Sequence, residues 1–251
     1  MDGTTPKASH AAPAFRAGKS DRPDNAGSLA RVLVRNYGLA GAVRLAATDV
    51  LPDLLHRTDT ARPASLEAAL PAHDPDVDAR ARGDANRYVP STHALLEAVA
   101  RRLSRELDVS ATGFVDAGSG KGKALIGAAR APGASVRGVE LSAALHGIAV
   151  RNVERLGLAR RVISERGDAA DLALAPHERV VYLFNPFTGA TLERCLDRVA
   201  EAGRTAPRWL VYVNPTEHAA FTARFDLVEH GHVEPGRIEL AYFATRGGGA
   251  R

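Results

Sequence analysis

Residues Phe114 to Ala129 read FVDAGSGKGKALIGAA. A short apolar run ends in an acid, a loop with glycine at every second position comes next, and then a helix-forming stretch begins. A buried strand that turns into a helix through so tight a loop must lay that helix back against a sheet. The unit recurs down the chain. SVRGVEL reads as a strand before a helix over 142–157, and RVISERG as a third strand. ERVVYLFNPF precedes a helix over 189–202, and PRWLVYVNP precedes a short helix near 216–222. The strands are nearly continuous apolar runs, as in sheets covered on both faces. RFDLVEHGHV and RIELAYFAT, joined by EPG, close the chain without a helix between them and imply an antiparallel strand at the end of the order. The expected fold is α/β, a doubly wound, mostly parallel seven-stranded sheet with helices on both faces.

Three segments are expected in the 251 residues. Residues 1–27, rich in Ala, Pro, Gly, Ser, Asp and Lys, cannot bury enough apolar surface to offset ordering entropy and read as a disordered tail. Residues 28–85 read as a small helical cap and linker, with Leu29, Val32, Leu33, Leu39 and Val43 on helical spacings and Gly38 and Pro52 as punctuation. ASLEAAL adds a short helix capped by Ser65, and PAHDPDVDARARGDAN reads as a polar connection. Residues 86–251 form the core, opened by a helix that Ser91 or Thr92 can cap. A net charge of +4 gives no strong nucleic-acid signal. Cys195 is the lone cysteine and no apolar run approaches membrane-spanning length, so the expectation is a cytoplasmic protein away from membranes. Cys195, in a helical pattern, reads as a small buried apolar group.

The glycine loop admits three readings. A phosphate-binding G-x-x-x-x-G-K-[ST] loop would need Gly at 117 and Ser or Thr at 124, and both are alanine. A dinucleotide G-x-G-x-x-G keeps Gly118 and Gly120 and meets Lys123 at its third position. The third pattern, D-x-G-x-G-x-G, fits at Asp116, Gly118, Gly120 and Gly122. An acid at the strand end suits a cationic ligand better than a diphosphate. Lys121 and Lys123 are expected to point to solvent from the first helical turn; the alternative has Lys121 facing a ligand carboxylate or an acidic acceptor. Glu140 ends the second strand, where an acid can accept both ribose hydroxyls. Asp168 comes after the third strand, and Asn185-Pro186-Phe187 after the fourth.

Over residues 88–245, about two thirds of the chain, this order resembles the class I, seven-stranded S-adenosylmethionine-dependent methyltransferases. YVPSTHALLEAVARRL running into the glycine loop is also similar, more weakly, to non-SET lysine methyltransferases, from which Asn185-Pro186-Phe187 departs. The resemblance implies S-adenosyl-L-methionine as cofactor, held by Asp116, Gly118, Ser119, Gly120, Gly122, Glu140, Leu141, Asp168, Ala169 and Asn185. It implies a nitrogen acceptor, on a protein side chain or a small amine, at Asn185, Pro186 and Phe187, with Tyr88 covering the site. There the Asn185 side-chain oxygen and the carbonyl near Pro186 would accept hydrogens from the acceptor. The alternatives are a small-molecule O-methyltransferase, a non-catalytic S-adenosylmethionine-binding or assembly subunit, and a nicotinamide oxidoreductase. Asn214-Pro215 reads as a plain turn, His93 and His218 as incidental histidines, and His230 with His232 as hairpin histidines rather than metal ligands, so no metal is expected.

Overall fold

The computed structural model describes residue 34 and residues 38–70, 74–232 and 240–246. The expected tail over 1–27 and the EPG connection lie outside the described residues. Seven strands form one sheet in the order β3-β2-β1-β4-β5-β7-β6. They are β1 (Gly113–Ala117), β2 (Val136–Glu140), β3 (Val162–Arg166), β4 (Glu178–Phe184), β5 (Arg208–Val213), β6 (Asp226–His232) and β7 (Leu240–Arg246). The first five pair in parallel, and β7 runs antiparallel to both β5 and β6. Within β4, Val181 and Leu183 pack with Leu192, Leu196 and Val199, while Val180 and Tyr182 pack with Leu95 and Val99. Both faces of the strand are therefore buried, which is why its sequence is apolar without alternation.

The helices keep the expected order with trimmed ends. Those of the core are α5 (His93–Leu103), α6 (Lys123–Ala128), α7 (Ala143–Arg155), α8 (Gly189–Thr205) and α9 (His218–Thr222). Thr92 caps α5 by accepting from Leu95 N–H at 3.1 Å, and Ser142 caps α7 by accepting from Leu145 N–H at 3.1 Å. Ser91, the other candidate cap, instead bonds the Tyr182 hydroxyl at 2.8 Å. Cys195 is buried in α8, and burial pushes its thiol up to about 12, consistent with a packing role.

The segment before the core is helical at α1 (residues 38–45), at a π turn over Ala46–Val50, and at α2 (Leu51–His56), α3 (Leu66–Ala69) and α4 (Ala79–Asp84). Three expectations need correction here. Pro52 does not end the helix; it falls in the first turn of α2, beside the π turn, where the regular ladder is already interrupted. Residues 71–86 are not merely a connection, because Asp78 caps α4 by accepting from Ala81 N–H at 2.6 Å. The inward face of α1 and α2 is also not the one its large apolar residues mark. Leu39, Val43, Leu54 and Leu55 are exposed, whereas Ala42, Leu45, Asp49 and Asp53 are buried. The Asp53 carboxylate accepts from Thr60 N–H, Ala61 N–H and the Thr58 and Thr60 hydroxyls, and so fixes the turn after α2.

The chain winds outward in two directions from the sheet's middle: β1, β2, β3 one way and β4, β5 the other. At such a reversal the loops after β1 and β4 part, and a crevice opens at the strands' carboxyl ends.

Candidate functional site

That crevice is a cavity of about 820 Å³, counted to its open mouth. It gathers the ends of β1, β2, β3 and β4, and the segment before the core forms its remaining wall. Asp116, Gly118, Ser119, Gly120, Glu140, Leu141, Asp168, Ala169, Pro186, Phe187 and Tyr88 all line it. Gly122 and Asn185 do not.

The glycines have separate reasons. Gly118 and Gly120 have φ of +89° and +55°, a region unfavourable to other residues. A Cβ on Gly118 would lie 2.2 Å from Pro186 Cβ, and one on Gly120 would lie 2.1 Å from the Tyr88 ring. The loop is therefore pressed between the β4 exit and Tyr88. Gly122, at φ +81°, starts α6 without a side-chain cap, and a Cβ there would approach Ala149 of α7. Its absence from the cavity reflects helix packing.

Glu140 is buried and spans the loop. One carboxylate oxygen accepts from Gly120 N–H at 2.7 Å and the other from Ser142 N–H at 2.8 Å. Each oxygen keeps a second lone pair. Burial raises the Glu140 carboxyl above the usual carboxylate range, partly offset by these bonds. Asp116 lacks such help. It is buried, has no hydrogen-bond partner among the described residues, and is pushed well up by burial and then by the Glu140 charge. The Ser119 hydroxyl is likewise buried without a partner. Unpartnered polar groups in a lined cavity are what a polar ligand would satisfy. Proton linkage gives a check. A carboxyl raised in the folded state adds stability at low pH that is lost as pH rises through its folded value. Asp116→Asn should therefore raise the melting temperature at about pH 8 and leave it nearly unchanged near pH 4, read from parallel thermal scans.

The lysines depart from expectation. Lys121 and Lys123 are buried rather than solvated. Lys123 Nζ lies 2.6 Å from Asp49 Oδ1, and Lys121 Nζ lies 2.8 Å from Asp59 Oδ2 and over the Tyr88 ring. Asn152 of α7 completes this junction, donating to the carbonyls of Asp59 and Lys121 and accepting from Asp59 N–H. The Tyr88 hydroxyl donates to Thr60 O at 3.0 Å. These contacts tie the chain before the core to the glycine loop.

At the other end of the cavity, Asp168 accepts from Ala170 N–H at 2.8 Å and from Arg80 Nη2 at 2.5 Å. Arg80 also reaches Thr191, and Asp84 accepts from the Thr191 N–H and hydroxyl, both at 2.8 Å. The first turn of α8 is thus satisfied by Asp84 of α4 and by Glu217, which accepts from Gly189 N–H, not by its own preceding residue.

Asn185 has φ +43°, and its side-chain oxygen accepts from the Thr216 hydroxyl and from Asn86 Nδ2, each at 3.3 Å. The Asn185 carbonyl accepts from the same Asn86 nitrogen at 3.0 Å, and the Pro186 carbonyl from Asn86 N–H at 2.9 Å. The oxygens expected to meet an acceptor are therefore engaged by Asn86, which lines the cavity. Asn86 is hidden in a polar stretch of the sequence; its one signal is its place near Tyr88. His93 and His218 are absent from this cavity's lining. The side chains of His230 and His232 lie outside the described residues.

No family model and no curated protein matches the chain. Solved structures do. One, "StiE O-MT residues 942-1257", is 20% identical with a TM-score of 0.44, over 55% of this chain and 53% of that one. This chain thus spans about half the length of that structure. An RNA methyltransferase from Salinibacter ruber in complex with S-adenosyl-L-homocysteine is 22% identical with a TM-score of 0.49, over 65% of this chain and 97% of that one. TrmN from Thermus thermophilus is 17% identical with a TM-score of 0.49, over 62% of this chain and 49% of that one.

Proposed function

We propose that the protein is an S-adenosylmethionine-dependent methyltransferase. The observation that carries this reading is Asp116: a buried carboxylate without a donor, at the exit of β1, beside a glycine loop and Glu140. That pair favours a ligand with a cationic end and a vicinal diol and disfavours a diphosphate. S-adenosylmethionine supplies a methyl group activated by a sulfonium. The chain has to hold the nucleoside, aim the acceptor and keep water out. Asp116 would face the amino group and sulfonium side, Glu140 the ribose hydroxyls, and Asp168 with Ala169 the adenine edge. Ser119 lies on the same loop with a hydroxyl to satisfy.

The acceptor in this reading is a nitrogen. Tyr88, Phe184 and Phe187 line the cavity beside Pro186, and ring faces stabilise the positive charge that grows on nitrogen during transfer. Titration calorimetry of the full chain is the first test. S-adenosylhomocysteine should bind the unaltered chain. Binding of NAD instead, or of neither, would overturn the reading. With labelled S-adenosylmethionine and a fractionated cell extract, label is expected in amine or amide products that survive mild alkali; alkali-labile methyl esters would sink the nitrogen assignment.

A further inference from the structure

We propose that Asn86 is the residue that orients the methyl acceptor, with Asn185 acting through it. The proposal rests on the S-adenosylmethionine reading of the cavity. A carboxamide carries two hydrogens on nitrogen and two lone pairs on oxygen. At Asn86 the assignment is fixed by chemistry, because Nδ2 faces the main-chain carbonyl of Asn185 at 3.0 Å, and a carbonyl can only accept. The same nitrogen points at Asn185 Oδ1, which Thr216 holds in place. The Asn86 backbone N–H is clasped to Pro186 O at 2.9 Å, and Ala85 forms a bridge with Phe187. The amide is thereby held from its nitrogen side. Its Oδ1, on the opposite side of Cγ, has no partner among the described residues, and Asn86 lines the cavity with Asp116, Gly118, Pro186 and Phe187.

A fixed acceptor oxygen at this wall is what methyl transfer to nitrogen asks for. It takes a hydrogen bond from the acceptor N–H, which turns the nitrogen lone pair toward the methyl carbon. The new N–C bond forms from that lone pair, the carbon–sulfur pair passes to sulfur, and a proton leaves the product nitrogen for bulk water. Charge growing on nitrogen strengthens the bond to Oδ1, so the contact favours the transition state over the ground state. Asn185, half-buried behind Asn86 and held left-handed, is a positioning residue.

The test uses two defined nucleosides on the full chain. Sinefungin carries an amine-bearing carbon where S-adenosylmethionine has its methylsulfonium; S-adenosylhomocysteine has a thioether sulfur there with no substituent. The unaltered chain should prefer sinefungin. Asn86→Ala should cut that preference about tenfold and leave S-adenosylhomocysteine affinity within about twofold. The proposal is overturned by an equal loss for both nucleosides, by an unchanged preference in Asn86→Ala, or by no preference in the unaltered chain. Failure of both nucleosides to bind the unaltered chain removes the cofactor reading itself.

Discussion

Glu140→Gln should weaken S-adenosylhomocysteine binding about 100-fold, measured by calorimetry on protein whose melting curve remains cooperative. The magnitude comes from the bonds at stake. A carboxylate that accepts both ribose hydroxyls makes two charge-assisted bonds, together worth about 3 kcal/mol, and each 1.4 kcal/mol is about tenfold in affinity. The structure adds a second consequence. Glu140 already accepts from Gly120 N–H and Ser142 N–H, one on each oxygen. An amide must set its own N–H₂ against one of these donors, so the glycine loop should also loosen. The two effects separate with a ligand lacking the ribose 2′-hydroxyl. That analogue should bind the unaltered chain less well than the parent, and the gap should narrow in the variant. A gap that stays the same size would show that Glu140 supports the loop and does not touch the sugar.

Lys123→Met should destabilise the fold by about 3–5 kcal/mol, the usual cost of stranding one partner of a buried ion pair. Lys123 and Asp49 are 3% and 5% exposed, so water cannot take over the missing charge. Asp49 also accepts from His93 N–H at 2.9 Å and from the Thr48 hydroxyl at 2.7 Å, so it cannot withdraw without uncapping the start of α5. Burial raises the Asp49 carboxyl, but Lys123 and these donors more than reverse this and hold it below the usual range. Stability from a depressed carboxyl is present above its unfolded value and lost as pH falls through its folded one. Without Lys123 the depression goes, and the deficit of the variant should shrink below about pH 4. Adding Asp49→Asn keeps an oxygen for His93 N–H and removes the stranded charge; denaturant titration should show part of the loss recovered. A deficit under about 1 kcal/mol for Lys123→Met would mean that the pair is solvated and contributes like a surface bridge.

The sheet is legible in the sequence because its signal is local. Apolar runs at 114–117, 180–184 and 209–213 and the glycines between 118 and 122 define strands and a turn without knowledge of partners. Asp116, Glu140 and Asp168 come to one cavity because each sits at or just past a strand's carboxyl end and the topology does the rest. The lysines are illegible because the default for a lysine after a glycine loop is water, and the counterions lie far back in the chain. The lysine-bonded Asp59 is 62 residues before Lys121. Asn86 escapes notice for the same reason, as its partners are 99 residues on. The helical face of 38–56 misleads in another way: most of its large apolar residues, Leu39, Val43, Leu51, Leu54 and Leu55, face out, while Ala42, Leu45, Asp49 and Asp53 face in.

The wall built by residues 49–86 has a consequence for how the protein is made. Its ties reach forward: Asp59 to Asn152 across 93 residues, Asp84 to Thr191 across 107, and Arg80 to Thr191 across 111. This portion is made before its partners: it meets Lys121, Lys123 and Asn152 as they follow, but its ties to Thr191 wait until β4 and the start of α8 have come out. Closure over such spans is slow compared with local pairing. That stretch is then completed late, and the cavity wall it supplies closes only after the start of α8 has been made.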